Sequence, residues 1–191
     1  MASTYEVLGI FLVSFSLNIV PFAGPSNLFI AFNASLAVDA APLTIGFLVA
    51  LGSASAKLIH YLVTFFLRGF IGEKRRRRLE AAGLKLKHWA SLALFLVAAS
   101  PLPDDPVVIP LGLLKYSPVK LFLAYFAGKL MITSAGAYLG RLGEETLAPF
   151  VSSEIITIAS IVLTVALTII LLKVDLDKLT RRILRRKDSL P

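Results

Sequence analysis

Apolar runs along this chain alternate with short interruptions rich in proline. Val7 to Val20 is apolar, Pro21-Phe22-Ala23-Gly24-Pro25-Ser26-Asn27 intervenes, and Leu28 to Val38 is apolar again. The pattern returns between Trp89 and Leu114, where Pro101-Leu102-Pro103-Asp104-Asp105-Pro106 cuts an apolar run in two. Proline has no N–H to donate, clashes with the turn before it at about 3 kcal/mol in a helix interior, and drives the preceding residue to extended backbone. Neither stretch can continue as one helix. At 1.5 Å per residue the arm from Val7 to Val20 reaches about 21 Å, short of a hydrocarbon core of about 30 Å, and the arms around residue 104 are shorter still. The pattern predicts two re-entrant helical hairpins, residues 7–38 and 89–114, with elbows at Pro21, Gly24 and Pro25 and at Pro101, Pro103 and Pro106. Longer apolar segments predict membrane-crossing helices over 42–70 and 118–140, each opened by a proline, then a loop from Arg141 to Pro149, and a last span over 150–172, which is apolar and free of charge from Ile155 onward and reads as a lipid-facing brace. Irregular backbone at membrane depth is tolerated only where protein buries it or water reaches it, so both elbows are candidate sites by position.

Composition narrows the class. A content of 57% hydrophobic residues in 191 excludes an ordinary soluble domain and leaves room for one compact unit, an all-α polytopic membrane domain over 1–172 with a basic tail over 173–191. The net charge of +8 is concentrated in the loop 72–88, around Lys74 to Arg78, and in the tail from Lys178 to Lys187. Both clusters adjoin apolar spans, which makes anionic lipid headgroups their expected partner rather than nucleic acid. The tail has the spacing of an interfacial amphipathic helix, with a solvated basic tail as the alternative. Basic residues mark the cytoplasmic side, so the loop and the tail are expected there, at the cell membrane. With no cysteine there is neither disulfide nor thiolate metal site, and no metal-ligand spacing or cofactor motif is present. The first apolar run lacks a preceding basic region, so a cleaved signal peptide is not expected. A homo-oligomer is left open.

The two halves share a plan. Pro25 corresponds to Pro106 and Pro42 to Pro118, and a glycine follows ten residues into each span, at Gly52 and Gly128. Basic residues at 72–88, 115–120 and in the tail fall on one side only if residues 89–114 turn back. The first hairpin then enters from the opposite face, which makes the halves inverted repeats with the candidate site between them.

Four charges lie deep. Lys57 and Lys129 sit near the centres of their spans, while Asp104 and Asp105 sit at an elbow. Each costs roughly 2.5 to 3.5 kcal/mol at a helix centre, so the four are expected to meet and cancel. A structural ion pair and a proton or headgroup pathway are both open readings. Adjacent carboxylates raise each other's proton affinity, which suits a proton-linked step. Asn27 joins the pathway from the first elbow. His60 reads as a packed or interfacial residue, with a proton relay as the alternative. Gly52-Ser53-Ala54-Ser55 superficially resembles a rhomboid protease motif, but the partner histidine is missing from any other helix, and no enzyme is expected.

Residues Pro101 to Tyr116, followed by Gly128-Lys129, resemble the VTT-domain group of the DedA superfamily, the SNARE-associated Golgi proteins, particularly its small archaeal members. The resemblance covers about residues 21–140. It implies two oppositely oriented re-entrant hairpins with intervening transmembrane helices, and an activity on lipids: scrambling of phospholipids in eukaryotic relatives, recycling of polyprenyl-phosphate carriers and dependence on the proton gradient in bacterial ones. Many bacterial members carry an acid in the first hairpin and arginine near the second. Here Ser26 and Asn27 stand at the first elbow and Ser100 precedes Pro101, so positive charge falls to Lys57 or Lys129. The expected function is a lipid scramblase or flippase. The alternatives are a proton-coupled transporter of a small solute or drug, and a non-transporting scaffold.

Overall fold

A computed structural model describes residues 3–21, 24–70, 72, 89–147 and 149–173. The basic loop and the tail, apart from Gly72 and Lys173, lie outside the described residues. Those described form helices and connecting turns with no strand: α1 (Thr4–Asn18), α2 (Asn27–Ala37), α3 (Pro42–Leu67) continued by a 3₁₀ turn (Arg68–Phe70), α4 (Ala90–Ala98), α5 (Asp105–Leu113), α6 (Pro118–Leu147) and α7 (Ser153–Lys173). Only α3 with its 3₁₀ turn and α6 are both long and apolar enough to cross a membrane among the described residues.

Local chemistry sets the boundaries. Ser3 and Glu6 form a reciprocal capping box that starts α1. Pro42 occupies the first turn of α3, where its missing donor is harmless. At the far end of α5, Lys115 takes the left-handed conformation with φ 52°, and Tyr116 N–H closes on the Leu111 carbonyl at 3.1 Å. This bond ends the helix in the manner usually reserved for glycine.

Helices α3 and α6 run antiparallel through the centre, joined by Thr133 Oγ1 donating to the Gly46 carbonyl at 2.8 Å. Each packs on the first arm of its own half through a glycine, and the two contacts are alike. A Cβ on Gly52 would lie 2.6 Å from the Phe11 carbonyl and 2.9 Å from Ser14 Cβ of α1; one on Gly128 would lie 2.5 Å from the Phe95 carbonyl and 2.9 Å from Ala98 Cβ of α4. The second arms exchange partners. Gly112 of α5 lies against Tyr61 and Thr64 of α3, while Gly136 and Gly140 of α6 lie against Leu28, Phe32 and Ser35 of α2. Close backbone approach through small residues is the packing mode of helices that have no water to exclude.

The arms of each hairpin return to one end of the α3–α6 pair. Near the start of α4, Ser91 hydrogen-bonds the Tyr116 hydroxyl just past α5, and Tyr61 near the end of α3 donates to the Tyr116 carbonyl. At the opposite end, beyond α2, Asp39 pairs with Arg141 of α6 at 2.9 Å.

Two elements differ from expectation. Residues 141–147 continue α6 rather than forming a loop, because Arg141 reaches Glu144 and Glu145 at three- and four-residue spacing and ties the added turns together. Helix α7 carries a polar seam: Asn33 of α2 donates to Thr164 at 3.1 Å and accepts from Ser160. Its remaining face is apolar and largely exposed, as at Ile158, Val162 and Leu163.

Candidate functional site

The breaks that prolines impose bring two polar elbows together between the midpoints of α3 and α6. In the second elbow, Asp104 is the residue before α5, but its carboxylate makes no capping bond to the helix. Both oxygens turn instead to the long helices. Oδ1 lies 3.1 Å from Lys57 Nζ; Oδ2 lies 2.8 Å from Lys129 Nζ and accepts from the Tyr125 hydroxyl at 2.6 Å. Asp105, in the first turn of α5, meets Lys57 Nζ at 2.6 Å and His60 Nδ1 at 3.2 Å. The second imidazole nitrogen faces the Ile19 carbonyl at 2.8 Å. All of these side chains are buried, with the two aspartates and two lysines each exposed by 5% or less.

In the first elbow, Asn18 and Asn27 exchange amide hydrogen bonds, at 2.9 Å one way and 3.1 Å the other. The pair satisfies its own polar groups without charge. Between the elbows lies a cavity of about 80 Å³ lined by Asn18, Asn27, Lys57, Asp104, Asp105 and Lys129 together with the elbow residues Gly24, Pro25, Pro101 and Pro103. At about 30 Å³ per water this holds two or three molecules.

Of the residues singled out in the sequence, Lys57, Lys129, Asp104, Asp105 and Asn27 converge on this cavity; Pro21 and Pro106 stand beside it without lining it. Sequence reading missed two partners, Tyr125 and Asn18, and placed His60 as a packed or interfacial residue with a proton relay as the alternative. Tyr125 sits one helical turn before Lys129, His60 one turn after Lys57, and Asn18 mirrors Asn27 across the elbow; the i, i+4 and i, i+3 spacings carried the signal for the first two. A single elbow carboxylate, Asp104, receives Lys57 from α3 and both Lys129 and Tyr125 from α6. Among the described residues no group of histidines and carboxylates has the arrangement of a metal site.

A second, apolar groove of about 560 Å³ runs between α1, α2 and α7. Its walls are Ile10, Val13, Leu17, Phe29, Ile161 and Val165, and Pro25 lines both this groove and the polar cavity.

Two helices, each long and apolar enough to cross a membrane, clasp a pair of broken hairpins around buried charge. Residues 24–142 match the family model of the VTT domain, and the chain belongs to that family, the DedA-type membrane proteins. The family is associated with membrane transport and is regarded as non-enzymatic. No curated protein and no solved structure matches the chain.

Proposed function

We propose that the protein is a lipid scramblase or flippase, moving phospholipid or polyprenyl-phosphate-type lipids between leaflets. In this reading the hairpins are re-entrant from opposite faces of the cell membrane, and α7 is a third crossing. The basic loop and the tail lie in the cytoplasm, where they meet anionic headgroups. The observation that carries the reading is the junction at Pro25, where a polar, lysine-lined cavity adjoins a partly open apolar groove. A headgroup needs the first and an acyl chain the second. A solute transporter needs only the cavity, and a scaffold needs neither.

The test is reconstitution into liposomes carrying a fluorescent phospholipid, with an impermeant quencher added outside, with and without a proton gradient. The reading predicts quenching that proceeds past the outer leaflet, and loss of that excess in Lys129→Ala. Quenching that stops at the outer leaflet with folded protein present contradicts it.

A further inference from the structure

A glycine inside a helix is less favourable there than alanine, so its place calls for a reason. At Gly52 and Gly128 the reason is the helix packed against each of them. At Gly9, in α1, a Cβ would meet nothing within 4 Å beyond its own stretch of helix. Gly9 instead forms part of the wall of the apolar groove between α1, α2 and α7, and the missing side chain leaves that groove open.

The shape of the groove limits what can fill it. On α1 it runs from Glu6 to Leu17, a rise of about 16 Å at 1.5 Å per residue. On α2 it runs the opposite way, from Val38 to Phe29, and it ends at Pro25. It therefore reaches from the face where α1 begins to the depth of the elbows, about half of a hydrocarbon core of about 30 Å. Water does not hold such a space, because each molecule needs about two to four polar partners. Asn33 and Thr164, which also line it, bond each other at 3.1 Å, and Asn33 donates to the Phe29 carbonyl at 2.8 Å. An elongated apolar space one leaflet deep has the form of a lipid chain.

The mouth of the groove carries charge. Glu6 lines it at the face, is exposed, and accepts the Ser3 N–H through one carboxylate oxygen at 2.6 Å. A negative charge at that place attracts a headgroup ammonium and repels a headgroup of net negative charge.

We infer that the groove holds one chain of an upright lipid from the leaflet at that face, with an ammonium-bearing headgroup at Glu6 and the chain end against Pro25. The headgroup lies at the face and not in the polar cavity, so this site is distinct from the route proposed above. It requires that the protein sit in a bilayer, not that it move lipid.

Nanodiscs of equal parts phosphatidylethanolamine and phosphatidylglycerol supply the bilayer for the test. A trace of one of these lipids carries a photoreactive diazirine, and peptide mass spectrometry locates the adducts. With phosphatidylethanolamine, a diazirine at the chain end is expected to label near Leu17 and Phe29, and one beside the glycerol near Gly9 and Ala37. The exposed face of α3 at Leu62 and Val63 is the reference. Adducts no denser in the groove than on that face overturn the site, and the reverse order of the two probes overturns the pose. Gly9→Leu sets its Cβ in open space and fills the groove from α1; Ala37→Leu fills it from α2 and serves where the first variant does not fold. Either is expected to bring groove adducts down to the reference level, and groove adducts unchanged in the folded variant overturn the inference. In the unaltered protein the groove is expected to take phosphatidylethanolamine over phosphatidylglycerol by about threefold, since an exposed charge pair contributes little. Glu6→Gln keeps the capping arrangement, which glutamine serves as well, and is expected to abolish that preference. Equal labelling by both lipids in the unaltered protein overturns the headgroup assignment. Because no step measures transport, failure of the liposome assay leaves this inference standing, and an empty groove in a protein that scrambles lipid overturns it and leaves the proposed function standing.

Discussion

The two elbows occupy equivalent places and solve the same problem differently. Each breaks a helix at proline within the interior of the bundle, and each exposes polar groups where water is scarce. The first closes on itself through the reciprocal Asn18–Asn27 amides. The second closes on its neighbours, through Asp104 and Asp105 to Lys57, Lys129, His60 and Tyr125. A neutral pair needs no partner outside its hairpin. A charged pair is stable only if both long helices supply cations, so the second elbow fastens α3 to α6 while the first is held mainly by packing. The mechanical frame is thus nearly symmetric and the chemistry is not.

The largest effect expected from breaking this contrast is at Lys57. Lys57→Met removes the cation shared by Asp104 and Asp105 and leaves buried charge uncompensated, a loss of about 3 to 5 kcal/mol, read as denaturant unfolding in micelles. Asn27→Leu, at the corresponding elbow, orphans one amide and is expected to cost about 1 to 3 kcal/mol. Removing both amides as Asn18→Leu/Asn27→Leu is expected to cost less than the two singles combined, a coupling of about 0.5 to 3 kcal/mol that a double-mutant cycle measures. A cost for Asn27→Leu equal to that of Lys57→Met would erase the distinction between the elbows.

The frame's symmetry is sharpened by its glycines. Gly52→Ala and Gly128→Ala each place a methyl within 2.6 Å of a backbone carbonyl of the first arm, and the two are expected to destabilise alike, by about 1 to 3 kcal/mol. A smaller gain is expected from Lys115→Gly, which relieves a left-handed residue and adds about 1 kcal/mol; a thermal melt registers it as a rise of a few degrees.

The smallest effect lies at the end far from the charged elbow's return. A side-chain hydrogen bond from Arg141 and its positive charge hold the Asp39 carboxyl below the ordinary carboxylate range. The folded group is therefore the stronger acid, and its contribution is present above the unfolded value and fades as pH falls through the folded one. Because Asp39 is exposed, salt is expected to screen most of this contribution, and a pH titration of stability at low and high salt measures it.

The prolines made the two breaks legible in the sequence, and the depth of Lys57, Lys129, Asp104 and Asp105 made their convergence a matter of energy rather than of pattern. What stayed hidden depended on contacts between distant elements. Tyr125 reads as one more aromatic residue in an apolar span until Asp104 is seen opposite it. His60 becomes part of the site only because Asp105 and Ile19 approach from two other helices. The extra turns of α6 rest on Arg141, whose charges looked like those of a loop, and the seam on α7 rests on Asn33 over a hundred residues away.

The central claim is that the arms of the charged hairpin return to one face while the first hairpin opens to the other. With no native cysteine, single cysteines at Trp89, Lys120 and Ala41 can be labelled by an impermeant maleimide in oriented vesicles. The account predicts that Trp89→Cys and Lys120→Cys react from the same side and Ala41→Cys from the opposite side; Trp89→Cys and Lys120→Cys reacting from different sides would contradict it.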